Sequence, residues 1–148
     1  GFGLAYRKNP PPDYPKRYWI QGDYWLEESS AKPDAYFVFG HAVKDTVQLW
    51  AGGYSLVEKR IRFGRIHFSG NGEIYFEDLM QKPVEILNKE DKYVFRFIFH
   101  HQTGEIRLDV NGVPMRCELP ISSHKITHLG YMVKNGKVCF KAMEFDGD

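Results

Sequence analysis

The sequence predicts an all-β fold: a two-sheet antiparallel β-sandwich of jelly-roll type with about 10–12 strands. Three observations carry this prediction. Short apolar or alternating runs recur about every ten residues, separated by Gly, Asn, Asp, Pro and Ser, which is sandwich or barrel spacing. Three Asn-Gly pairs, Asn71-Gly72, Asn111-Gly112 and Asn135-Gly136, supply the positive φ angles of tight hairpins, so each marks an expected antiparallel reversal. No window of about twelve residues sustains a capped helical period, so the crossover helices that a parallel sheet needs have no source.

Taken in order, residues 1–16 carry prolines at 10, 11, 12 and 15 and read as a proline-rich arm packed across a single domain of residues 17–148. Arg7, Lys8, Lys16 and Arg17, interleaved with Tyr6 and Tyr14, give that arm a way to touch a partner. Strands are expected at 17–21, 35–41, 46–51, 60–69, 73–78, 92–100, 104–110, 112–119, 126–133 and 137–145. The run 79–91 contains Pro83 and reads as loop with a short extended piece. In 104–110, Ile106, Leu108 and Val110 alternate with Arg107 and Asp109, giving one buried and one wet face. Tyr93 to Phe99 puts an aromatic ring at every odd position, a second two-faced strand. In 60–69 the phase changes: Ile61 and Phe63 share one parity, Ile66 and Phe68 the other. A bulge at Gly64 would return both pairs to one core.

The 148 residues, 43% of them hydrophobic, suffice for one continuous core. A formal charge of +1 gives no field that gathers polyanions, and no nucleic-acid partner is expected. No apolar run approaches the roughly 18 residues of a membrane span, and no charged-then-apolar leader opens the chain, so no membrane insertion is expected. Compartment is not legible. The two cysteines, Cys117 and Cys139, lack metal or redox spacing and fit either two half-buried thiols or one disulfide between late strands.

Catalytic and metal chemistry find little support. Gly-x-Ser-x-Gly and His-Glu-x-x-His are absent, His124 and His128 have helical spacing but fall in what reads as loop and strand, and His100-His101 puts adjacent rings on opposite faces of a strand. Gly52-Gly53 lacks the Lys-Ser/Thr and helix of a phosphate loop. Glu77-Asp78 and Glu90-Asp91 resemble a glycosidase pair only as residue types, because sequence neighbours on a strand face opposite ways. The expectation is a chain that binds rather than catalyses, with no cofactor or metal.

One cluster stands out as a candidate ligand-binding site. Arg60, Arg62, Arg65 and His67 lie on one strand beside Trp50 and Tyr54 of the preceding one, and the expected Gly64 bulge would bring all four donors to the solvent side. Four donors near an aromatic ring suit a sulfated or carboxylated sugar, or an acidic protein segment. The same four suit an ordinary solvated face partnered by Glu58, Glu73 and Glu77.

The last third, with Val110-Asn111-Gly112, Ile126-Thr127-His128-Leu129-Gly130-Tyr131 and Lys137-Val138-Cys139-Phe140-Lys141-Ala142-Met143-Glu144-Phe145, resembles the C-terminal half of the galectin domain. That resemblance implies a galectin-like, concanavalin-type sandwich. It also implies a β-galactoside site made of His-x-Asn-x-Arg, Val-x-Asn and Trp-x-x-Glu-x-Arg strands. Set against the family's Asn-Gly-Glu-Trp-Gly-Pro-Glu, the run Asn71 to Glu77 keeps the glutamate as Glu77, puts Ile74 at the stacking tryptophan and Leu79 at the arginine. Thr46–Tyr54 and Arg60–Ser69 contain neither of the other two patterns. A site built to bond hydroxyls loses orders of magnitude in affinity without its polar partners. The expected function is therefore a galectin-like module with a diverged sugar site, partnered by a protein. The alternatives are a lectin for another glycan, an anionic one read by Trp50, Arg62, Arg65, His67 and Glu77, and a sandwich-fold glycosidase. Oligomeric state is not legible.

Overall fold

A computed structural model describes residues 2–8, 18–26, 34–85, 95–100, 105–118, 127–134, 138–140 and 144–147. These form twelve strands: β1 (Phe2–Lys8), β2 (Tyr18–Leu26), β3 (Asp34–Val43), β4 (Thr46–Ser55), β5 (Arg60–Phe68), β6 (Ile74–Pro83), β7 (Phe95–His100), β8 (Glu105–Val110), β9 (Val113–Glu118), β10 (His128–Lys134), β11 (Val138–Phe140) and β12 (Glu144–Gly147). Every pairing is antiparallel. One sheet runs β1-β10-β3-β4-β5-β6, and the other runs β11-β2-β7-β8-β9 with β12 also paired to β2.

Phe2–Lys8 lies inside the expected arm, yet it pairs with β10 along its whole length. The prolines that suggested an arm begin only at Pro10, after the strand is complete, and residues 9–17 lie outside the described residues. The single strand expected at 137–145 appears as β11 and β12, both along the same side of β2. β6 continues past its expected end at 78 to Pro83. Among the described residues it pairs only with β5, so the missing N–H of Pro83 costs the ladder nothing on the open side.

Turn chemistry accounts for two hairpins and corrects one expectation. Asn111 and Gly112 have φ of 46° and 86° between the paired Val110 and Val113, a two-residue hairpin. Lys44, with φ of 55°, serves in the same way with Asp45 between Val43 and Thr46. At Asn71-Gly72 only the glycine is left-handed, and the reversal is a five-residue loop closed by Ser69 N donating to Glu73 O at 2.8 Å. Asn135-Gly136 lies outside the described residues.

The inter-sheet core is aromatic. Phe37 and Phe39 of β3, Trp50 and Tyr54 of β4, and Ile61 and Phe63 of β5 meet Phe97, Ile106, Leu108, Val110 and Met115 from the other sheet. Phe37 lies 4.7 Å from Phe97 between ring centroids, and Phe39 stacks between Phe97 and Phe63 at 5.9 and 6.0 Å. Gly52 lies beneath Leu108, whose branch would sit 3.0 Å from an added Cβ. Ile106, Leu108 and Val110 point inward as their alternation predicts, and Arg107 points out.

The first sheet is apolar on its other side too. Tyr36, Val38, Leu49, Ala51, Ile66 and Met132 form a second buried cluster, all of them from the first sheet among the described residues. This outer cluster explains the phase change in 60–69. β5 pairs with β4 without interruption, Ile61 and Phe63 facing the inter-sheet core and Ile66 facing the outer cluster. The bulge lies in the neighbouring strand instead: Phe63 pairs with Met80 and Gly64 with Asp78, leaving Leu79 without an opposite residue.

Candidate functional site

Alternation along β5 and β6 sorts the candidate residues onto two sides of one sheet. Arg62 projects to the outer face, whereas Arg65 and His67 project with Trp50 to the face that meets the second sheet. The expected single row of Arg60, Arg62, Arg65 and His67 does not exist, because the bulge that would have created it belongs to β6. Trp50 is 1% exposed and belongs to the inter-sheet aromatic core, so it has no face to offer a ligand. Its Nε1 is buried with no hydrogen-bond partner among the described residues, and the Arg65 guanidinium lies 6.0 Å from its ring.

The outer face is built on small residues. Ala51 and Gly64 lie side by side on β4 and β5, with Gly53 next along that face of β4 and Val38 of β3 between Ala51 and Gly130 of β10. A Cβ on Gly53 would meet the Tyr36 ring at 2.6 Å, and one on Gly64 would meet the Phe76 ring at 2.7 Å. Over these two glycines Tyr36 and Phe76 stack, centroids 5.5 Å apart, with the Arg62 guanidinium 4.6 Å from Phe76.

A polar network closes the face. Arg62 Nε and Nη2 donate to the two carboxylate oxygens of Asp78 at 2.8 and 3.0 Å, and Nη1 donates to Tyr36 Oη at 3.2 Å. Tyr36 donates to Asp34 at 3.2 Å, and Ser55 Oγ donates to the other Asp34 oxygen at 2.8 Å. Glu58 adds a third carboxylate, 3.3 Å from Arg62 and 2.7 Å from Arg60. Burial alone would lower the Arg62 pKa, but the Asp78 hydrogen bonds and Tyr36 outweigh it and raise it, so the guanidinium stays charged. Burial, reinforced by Asp34, pushes the Tyr36 hydroxyl above its ordinary range. The arrangement satisfies its own donors and acceptors, as a buried ionic group must to be tolerated.

On the opposite side, three of the five candidates meet. His67 Nε2 lies 3.0 Å from Glu77 Oε1, and Arg65 is paired in register with Glu77. Tyr75, 55% exposed, stacks on His67 at 4.8 Å and 13°. Sequence reasoning missed Tyr75, although its parity with Glu77 was available. It also missed Asp34, Tyr36, Phe76 and Asp78; for these the signal was the Tyr36-x-Val38 and Phe76-x-Asp78 alternation opposite two glycines. Ile74, at the tryptophan's expected place, is half-buried against the outer cluster, while Glu77 faces the other way.

Cys117 is a free thiol on β9, half-buried, and burial, with Glu105, pushes it up to about 12. β9 and β11 are the two ends of their sheet, four strand spacings apart, about 19 Å. A disulfide needs Cα atoms within about 7 Å, so the Cys117–Cys139 pairing is excluded. Among the described residues no group of three or more His, Cys, Asp or Glu can hold a metal ion, and no helix is long and apolar enough to cross a membrane.

No protein-family model matches the sequence, and no curated protein sequence matches it. Solved structures do match by shape. Sheep galectin-11, solved as a glycerol complex, superposes with a TM-score of 0.60 at 11% identity, over 97% of this chain and 96% of that one. The carbohydrate-binding module CBM66 from Bacillus subtilis gives 0.63 at 9% identity, over 99% and 82%. CG-16, a homodimeric agglutinin from chicken liver, gives 0.55 at 16% identity, over 97% and 100%. The fold is a galectin-like β-sandwich with a strongly diverged sequence.

Proposed function

We propose that this chain is a non-catalytic binding module that keeps a galectin-like frame, has lost the galactoside site, and engages a protein partner. The observation that supports this reading is the outer face of the first sheet, where the stacked rings of Tyr36 and Phe76 lie over Gly53 and Gly64 and Arg62, packed on Phe76, hydrogen-bonds Tyr36 and Asp78. A sugar needs donors and acceptors that are free to exchange water for hydroxyls. Here those of Arg62 are spent on Asp78 and Tyr36. Apart from Val57, the exposed large apolar side chains among the described residues, Phe68, Tyr75, Leu79 and Met80, 42–55% exposed, gather along the β5–β6 border.

One observation favours a second reading, a lectin for another glycan. Tyr75 stacked on His67, beside Glu77 and Arg65, offers an open aromatic ring flanked by charge. Neighbours of the same fold include an agglutinin and a carbohydrate-binding module, which supports the same alternative. A panel of neutral and anionic glycans decides between the two. The expected result is no binding to any class, β-galactosides included. Reproducible binding to one class, abolished by Arg65→Ala, would replace the protein-interaction reading with the lectin one.

A further inference from the structure

β6 is the last strand of its sheet and, among the described residues, has β5 as its sole strand neighbour. From Tyr75 to Lys82 it is solvent-exposed almost throughout, with Phe76 half-buried. Such an edge is a template for another strand unless charge or a bulge blocks it. β6 carries both, and together they select one partner.

The bulge at Leu79 reverses the side-chain parity in mid-strand. Tyr75 and Glu77 before it, and Met80 and Lys82 after it, all lie on the side facing the second sheet; Phe76, Asp78, Gln81 and Pro83 lie on the outer side. An antiparallel pairing of β6 with itself must set like sides together. The register that places Leu79 opposite Met80 does this. It brings Glu77 opposite Lys82 of the other copy, Asp78 opposite Gln81 and Phe76 opposite Pro83, with Leu79 and Met80 of both copies as an apolar centre. Registers displaced by one residue set one side of the sheet against the other, and the next like-sided register puts Met80 against Glu77.

The polar groups retain capacity for this. Lys82 uses one of its three donors on Pro114 O, and Glu77 uses Oε1 on His67, leaving Oε2. Gln81 accepts from Arg60 through Oε1, which leaves its amide N–H groups as donors for an acceptor such as Asp78 of the other copy. Opposite charges directly across a strand pair stabilise it and like charges oppose it, so the same Glu77 and Lys82 that discourage foreign strands favour a two-fold copy.

We infer that β6 is a homodimerisation edge: two copies pair β6 antiparallel about a two-fold axis between Leu79 and Met80, joining their first sheets into one continuous sheet. The inference rests on the reading that the edge, and not the closed outer face, does the binding. Sedimentation velocity on the full chain from micromolar to millimolar concentration is the test. A monomer–dimer equilibrium is expected, weakened about tenfold or more by Glu77→Lys, which sets like charges together twice in the symmetric pair, and restored in Glu77→Lys/Lys82→Glu. A chain that stays monomeric throughout, or a dimer indifferent to both variants, overturns the inference. A monomer with a blank glycan panel overturns the dimer alone, and a dimer that also binds a glycan through Arg65 overturns the functional reading alone.

Discussion

The outer face and the β6 edge belong to one sheet and are a few residues apart, yet they are built on opposite principles. On the face, small residues form the floor and large side chains fold down over it, until Val38, Met132 and Tyr36 are completely buried. On the edge, Tyr75, Leu79 and Met80 stand out into solvent. In a two-layer domain only one side of each sheet needs to be apolar. A sheet packed on both sides keeps its large side chains folded against itself, and its exposed apolar side chains lie at the border.

Trimming the two sides of β3 would break this comparison most directly. Tyr36→Ala on the outer face and Phe37→Ala in the inter-sheet core are both expected to cost about 3–5 kcal/mol, because each removes a wholly buried ring. Urea unfolding of the two variants measures it. If Tyr36→Ala proves near-neutral while Phe37→Ala does not, the outer face is a groove and not a second core. Next in size, Asp78→Ala leaves the Arg62 guanidinium without its bidentate partner. The expected cost is about 2–3 kcal/mol, below the full penalty for a buried ion because Asp78 is partly exposed and Glu58 remains close. The same unfolding assay reads it, and Met80→Ala on the edge should shift the midpoint hardly at all.

The smallest expected effect sharpens the picture through pH. A tyrosine whose folded pKa lies above its unfolded value of about 10 favours the folded state fully below that pH and withdraws its support as pH climbs further. Stability should therefore fall above about pH 10, more gently in Tyr36→Phe, as thermal unfolding between pH 8 and 11 would show; equal slopes would mean that Tyr36 is not sealed in the outer cluster.

Much of the frame was legible in the residues. Alternation in 104–110 foretold which side of β8 is buried, and Asn111-Gly112 marked a hairpin, because both are local effects of backbone geometry. The candidate site was less legible, for one identifiable reason. The phase change between Phe63 and Ile66 was read on the premise of a single core, and that premise required a bulge at Gly64. With two cores no bulge is needed, Arg62 parts from Arg65 and His67, and Trp50 turns inward. Whether a sheet is covered on one side or both depends on residues distant in sequence, such as Met132 and Phe76, and no local pattern states it. β1 was missed because the prolines following it set the character assigned to the whole opening stretch.

The pairing of β1 with β10, and of β2 with β11 and β12, sets a schedule for folding. β10 separates β1 from β3, so β1 waits for residues 128–134 before it meets its strand neighbour among the described residues, and β2 waits on one side for residues 138–147. Neither layer closes until the strands between residues 128 and 147 have been made. Until then both sides of the central sheet, apolar as they are, stay wet and exposed to other nascent chains, which is the stage at which long-range β topologies are most vulnerable to aggregation.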